Sequence, residues 1–429
     1  MTAPRSDARL SALFVELAMT PAPDYLDAVL EHTASARQRT RLAALERRLH
    51  LDPITPRAVG RELGSLRLAV VAVVVLLVIL ALAIAAGSRR LPPPFGPATN
   101  GLIAYSVAGD IVGLDPVKRT VRVLVAGPDD DSSPRFARRG DRFAFIRDTA
   151  DGRTLYVADA DGRNIRSVAG PYQNIDGVEW SPDDTRLLVT ALDAFVPIVD
   201  IVRVDGTGNR RVDLGIPIGN ASWRPPDGTL IVVRGEVPGV GPDLFVTDAE
   251  GLDPRRLDVQ SERLVTDGSD VNLQGWSPDG TQLIYNAVMR SRTTGRIVTR
   301  NVVVDVSPDG RLTAQRTLEF DPSDDQEGWA AWSPTGERFV MNVARMDATT
   351  EMWIAVTRSD GTGGLTITGP ATTRVQANEH GWSPDGTVIL ARYWEENQAW
   401  LLDPDGRAGE RVDYWATSPD APNWQRTAP

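Results

Sequence analysis

One turn sequence recurs through the last 300 or so residues, and nothing else in the chain restricts its fold so severely. It is intact as Trp276-Ser277-Pro278-Asp279-Gly280 and again at Trp382 to Gly386. Altered copies run from Trp180 to Asp184, from Trp332 to Gly336 with Thr335 in place of Asp, and from Trp223 to Gly228 with one extra proline. Phe136 to Gly140 is a degenerate copy, and a last one begins at Trp424. The chemistry is that of a tight strand-to-strand link: proline fixes φ, aspartate bonds its own backbone, and glycine takes the positive φ. An apolar strand follows each copy, as in Gln282-Leu283-Ile284-Tyr285 and Arg142-Phe143-Ala144-Phe145, and its alternation predicts a half-buried strand.

A second signature alternates with the first: a strand that ends in an Asp-Gly turn. Examples are Leu155-Tyr156-Val157 with Asp161-Gly162, Val302-Val303-Val304 with Asp309-Gly310, and Trp400-Leu401-Leu402 with Asp405-Gly406. Recurrence at about 45 residues points to propeller blades. Seven copies of each signature fit seven four-stranded blades. The first strands, at Leu102 to Tyr105, Ile111 to Leu114 and Val121 to Val125, have no Trp turn before them, while Trp424 has no strands after it. One blade is therefore expected to be assembled from both termini, which closes the ring and leaves no free sheet edge. Six blades would remain if the Trp424 segment were a tail.

Leu68 to Ala86 is a run of nineteen residues containing only Leu, Ile, Val and Ala. At 1.5 Å per residue it is roughly 29 Å long as a helix, the thickness of the hydrocarbon layer. A core helix would show a polar face, and a signal peptide would not follow more than sixty residues. The run is expected to span a membrane as an uncleaved anchor. Arg57, Arg61 and Arg67 precede it, and Arg89 and Arg90 follow it.

These boundaries divide the chain into a leader (1–66), a transmembrane helix (67–87), a proline-rich linker (88–97) and the propeller (98–429). The leader has apolar stripes at Leu10, Leu13, Phe14 and Leu17, at Leu26, Val29 and Leu30, and at Leu42, Leu45 and Leu49, which predict three short amphipathic helices. They read either as a docking surface for a cytoplasmic partner or as a tether. The linker contains Pro92-Pro93-Pro94, which favours an extended conformation.

The turn motif resembles the TolB-type, WD-like β-propeller repeat over about residues 98–429. The resemblance implies an all-β propeller fold and leaves activity open, because one fold carries many functions. Asp24 to Arg39 is also similar to the leaders of bacterial membrane-tethered propellers. That likeness implies a cytoplasmic N-terminus and a propeller outside the cell membrane.

The remaining sequence excludes several chemistries. With no cysteine there is no thiol nucleophile, thiolate metal site or disulfide. The net charge is −11, and it is about −13 beyond residue 67, so the large domain would repel nucleic acid. No Gly-x-Ser-x-Gly elbow, His-Glu-x-x-His motif or EF-hand loop occurs. No catalytic residue, metal site or cofactor is expected.

The Trp turns are expected on one face of the disc, packing between blades, and recognition on the other. That other face would carry the loops 127–134, 191–199, 286–297, 321–328 and 393–398. Tyr393, Trp394 and Glu395 form an aromatic and acidic cluster suited to a peptide, sugar or cation. With Asp325, Glu327 and His380 they make the candidate ligand-binding set, although His380 beside Trp382 also suits a hydrogen-bonded structural role. The acidic runs Asp129 to Asp131, Asp324-Asp325 and Glu395-Glu396 could bind a cation, but charged loops are ordinarily solvated.

The reading is a membrane-anchored, extracytoplasmic, non-enzymatic module for a protein, peptide or envelope glycan. A second is a transmembrane sensor coupled to a cytoplasmic regulator of sigma-factor type. A third is a propeller hydrolase or lyase.

Overall fold

In the computed structural model, seven four-stranded antiparallel sheets follow one another, and the seventh is built from both ends of the chain. The structure describes residues 92–257, 259, 271–290, 297–318, 326–344, 352–360, 366–368, 379–393, 398–407, 409–418 and 420–428, together with Val74. The leader helices and the apolar run expected to span the membrane lie outside these residues, apart from Val74, which is helical. Among the described residues no helix is long and apolar enough to cross a membrane.

The N-terminal strands are β1 (Thr99–Val107), β2 (Asp110–Asp115) and β3 (Thr120–Val125). Blade 1 comprises β4 (Asp130–Phe136), β5 (Arg142–Thr149), β6 (Gly152–Asp159) and β7 (Arg166–Tyr172). Blade 2 comprises β8 (Asn174–Trp180), β9 (Arg186–Asp193), β10 (Val196–Arg203) and β11 (Arg210–Arg211). Blade 3 comprises β12 (Ile218–Trp223), β13 (Leu230–Val237), β14 (Gly241–Asp248) and β15 (Arg255–Arg256). Blade 4 comprises β16 (Val271–Trp276), β17 (Gln282–Arg290), β18 (Ile297–Val306) and β19 (Leu312–Thr317). Blade 5 comprises β20 (Gln326–Trp332), β21 (Arg338–Ala344), β22 (Met352–Arg358) and β23 (Thr366–Thr368). Blade 6 comprises β24 (Glu379–Trp382), β25 (Ile389–Tyr393), β26 (Gln398–Leu402) and β27 (Glu410–Arg411). In blade 7, β28 (Asn423–Thr427) supplies the first strand and pairs antiparallel with β1, Ile103 opposite Trp424. The closure expected from the turn register is present, with seven blades rather than six.

The strands differ from the half-buried expectation. Leu283, Ile284 and Tyr285 are all buried, as are Phe143, Ala144 and Phe145. Alternate side chains leave opposite faces of a strand, and in a ring both faces of a blade meet a neighbour. Leu187 and Val189 on β9 thus pack with blade 1, while Leu188 packs toward Trp223, Ile231 and Val233 of blade 3. Ile284 likewise faces Phe339 and Met341 of blade 5, and Leu283 and Tyr285 face Val232 and Leu244 of blade 3. Seven apolar clusters result, one at each junction between consecutive blades.

The turn motif has a clear internal logic. Ser277 Oγ accepts the N–H of Gln282 at 2.9 Å and donates to Asp279 at 2.6 Å. Asp279 in turn accepts from Thr281 N and Oγ, and the same set recurs at Ser383, Asp385 and Thr387. Burial by itself would push the Asp279 carboxyl up, but the bonds from Ser277 and Thr281 outweigh it and hold the group below its ordinary value. Gly280 takes φ of +71°, and a Cβ there would lie 1.7 Å from the carbonyl oxygen of Pro225, so each turn rests on the turn of the blade before it.

Candidate functional site

The first strands of the seven blades line a central channel, and each runs toward the Trp turns, so all of those turns gather at one end. The same end carries the Asp-Gly turns between third and fourth strands. The other end carries the second-to-third hairpins and the crossings between blades. Connections at the turn end are similar in length around the ring. Those at the loop end run from the single residue between Tyr172 and Asn174 to the stretch between Arg256 and Val271.

At the turn end the channel holds a cavity of about 480 Å³. Glu179, beside Trp180, reaches across to its neighbours and accepts hydrogen bonds from Arg138 Nη2 at 3.1 Å, Ser222 Oγ at 3.3 Å and the Trp223 N–H at 3.4 Å. One carboxylate therefore joins the first three blades. Burial inside the channel pushes its carboxyl above the ordinary value, against the opposing pull of the Arg138 charge. Gln274 makes the equivalent link between blades 4 and 5, accepting from the Ala330 N–H at 3.2 Å while donating to Asn286 at 2.8 Å. The tryptophans lie between blades as expected, and the indole N–H of Trp180 donates to the Arg135 carbonyl at 2.9 Å, that of Trp382 to the Ala331 carbonyl at 3.2 Å.

Residues 94–96 of the proline-rich linker form one wall of this cavity. Arg426 on β28 donates to the carbonyls of Pro93 at 2.9 Å, Gly96 at 2.7 Å and Arg138 at 3.1 Å. The Arg138 guanidinium stands 4.7 Å from the centre of the Phe95 ring. The Ala98 N–H donates to the Pro384 carbonyl at 2.9 Å. Burial, with the nearby Arg138 charge, pushes the Arg426 guanidinium down to about 10, with Asp184 opposing.

The ligand-binding set read from the sequence falls elsewhere. Glu327 lies near the start of β20, His380 near the start of β24, and Tyr393 at the end of β25, which places their backbones toward the loop end of blades 5 and 6. Asp325, Trp394 and Glu395 lie outside the described residues, as do Asp324 and Glu396. Of the acidic runs, Asp131 is buried and paired with Arg147 Nε and Nη2 at 2.7 and 2.8 Å, a structural ion pair rather than an open ligand. Among the described residues no group of three His, Asp or Glu side chains could hold a metal ion.

The channel residues Arg138, Glu179, Gln274 and Arg426 were not singled out from the sequence. The available signal was a charged or amide side chain one or two places before a motif tryptophan, as in Glu179 and Gln274.

No protein-family model matches the chain, and no curated protein matches it. Solved structures do. An oligogalacturonate lyase in complex with manganese superposes with a TM-score of 0.52 at 13% identity, over 74% of this chain and 84% of that one. The β-propeller domain of the Trilobed protease from Pyrococcus furiosus, described as having an open velcro topology, gives 0.50 at 12% identity, over 74% and 95%. TolB from Acinetobacter baumannii gives 0.45 at 16% identity, over 75% and 81%. At such identities the likeness is one of fold, and the β-propeller implied by the turn motif is the fold of this chain.

Proposed function

We propose that the chain is a membrane-anchored binding module whose propeller stands outside the cytoplasm and recognises a protein, peptide or envelope glycan at its loop face, without catalysis. The observation that carries this reading is the contrast between the two ends of the channel. The turn end has uniform, mutually stacked turns, and its cavity is walled on one side by the linker. The loop end carries every connection of widely varying length, the usual place for recognition on a rigid scaffold. The anchor in this reading is the apolar run 68–86, and the described linker residues 94–96 lie at the turn end.

Protease shaving of intact cells tests the reading. Loss of the propeller, with residues 1–66 protected, is the expected outcome, and a propeller protected in intact cells but cut after lysis would overturn it. The docked linker favours a second reading, a transmembrane sensor, because it joins the propeller to the segment leading toward the anchor. In that case residues 1–66 should capture a specific cytoplasmic regulator of sigma-factor type. Lyase activity, borne by a neighbour of the same fold, would have to be lost on changing Glu395 or Asp325 before an enzymatic reading could replace these two.

A further inference from the structure

Residues 92–98 are gripped by side chains and backbone from three blades. The grip has the form of a peptide-recognition site. Arg426 offers only donors, and it directs them to the carbonyls of Pro93 and Gly96. Within residues 92–97 only Phe95 and Gly96 carry a backbone N–H, so the stretch presents mainly carbonyls, and a half-buried guanidinium turned toward carbonyl oxygens matches it. Arg138 covers the Phe95 ring, a contact that an aliphatic side chain would not reproduce. The carbonyl of Pro384 receives the N–H of Ala98, directly after Pro97. Glu179 holds Arg138 in place from the channel side. The segment bends at residues 94–96, where Gly96 takes φ of +81°, and the carbonyls, the aromatic ring and one N–H are together what reads a proline-rich segment bent in this way.

We infer that the turn end of the channel is a binding cradle for a proline-rich peptide that bends at an aromatic-glycine pair, occupied in cis by residues 92–98 and open to such a segment of another protein when this strap lifts. The cradle lies at the opposite end of the channel from the loops, so it stands or falls separately from the recognition proposed there. Because the strap is tethered a few residues from its site, its effective concentration is high, and an untethered peptide competes poorly with it.

The test uses the full chain in detergent and a fluorescent peptide of sequence LPPPFGPA, read by anisotropy. The wild-type chain should bind it weakly. A strap variant, P94G with F95A, should bind at least about tenfold more tightly, because the cradle is vacated. In that background R426Q and, separately, R138Q should each weaken binding at least about tenfold, and so should replacing the peptide's phenylalanine by alanine, a change that cannot disturb the protein's folding. A strap variant that binds no better than wild type would overturn the proposal. So would binding that ignores the peptide's phenylalanine.

Discussion

Asp184 shows how far one side chain can depart from its motif when a neighbour gives it a task. It sits where the other copies have glycine, with φ of +59°, and its buried carboxylate accepts the N–H groups of Arg138 at 2.7 Å and Arg139 at 3.0 Å from the preceding turn. Two charge-assisted bonds offset a left-handed conformation that costs an ordinary residue roughly 1–2 kcal/mol. Elsewhere the constraint is space. Gly280 and Gly215 share nearly the same φ, yet a Cβ on Gly280 meets the Pro225 carbonyl, whereas one on Gly215 meets nothing within 4 Å. Gly215→Ala should therefore cost about 1 kcal/mol, and Gly280→Ala at least about 3 kcal/mol, since the latter must also displace the turn beneath it. Urea unfolding of the two variants checks this, and equal losses would refute the stacked-turn account.

At the scale of the element, the Ser-Pro-Asp turn is a small hydrogen-bonded unit whose acid is held in its charged form. Asp183, Asp279 and Asp385 are each pushed up by burial, but bonds from the neighbouring serine and threonine prevail and leave them below the ordinary carboxylate value. A lowered folded-state value means that the folded protein favours the ionised form. The resulting stability is present above the unfolded value of about 3.9 and disappears as pH falls through the lower folded values. The triple variant D183N/D279N/D385N should be less stable than wild type at pH 7, with the gap narrowing below about pH 4. A gap that stays constant with pH would show that these acids act by shape alone. The turns were legible because each needs its own residues at fixed spacing. The full burial of the strands is not legible in the same way, since alternation looks the same whether one face or both are covered, and only the neighbouring blades decide.

At the scale of the molecule, the ring depends on its last strand. Without β28, β1 would present an open edge, and the channel cavity would lose Asn423, Trp424 and Arg426 from its wall. Asn423 also accepts the Phe136 N–H at 2.8 Å, and Gln425 donates to the Gly140 carbonyl at 2.7 Å, so this strand bonds to blade 1 as well as to β1. The loop before it is fixed too, with Asp420 accepting from Ser106 Oγ at 2.9 Å and from Ser133 N at 2.8 Å. Deleting residues 423–429 should broaden the thermal transition and lower its midpoint across the propeller, rather than fraying one edge. Supplying the missing segment as a peptide should restore a sharper melt. A truncated chain that melts as sharply and as high as the intact one would show that the seventh blade closes without it.

The amino-acid sequence by itself determined the turn positions and narrowed the ring to six or seven blades, with the two ends joined if there are seven, because proline, glycine and aspartate act through local backbone preferences that need no partner; the structure decided for seven. It also pointed to the loop end for Glu327, His380 and Tyr393, since strand direction follows from turn order. Only the tertiary structure decided that the linker lines the cavity at the turn end, that Glu179 joins three blades, and that Arg426 turns to carbonyls rather than to an acid. Those contacts link residues such as Pro93 and Arg426 at opposite ends of the chain. Their energies depend on closure of the ring, which no local preference records.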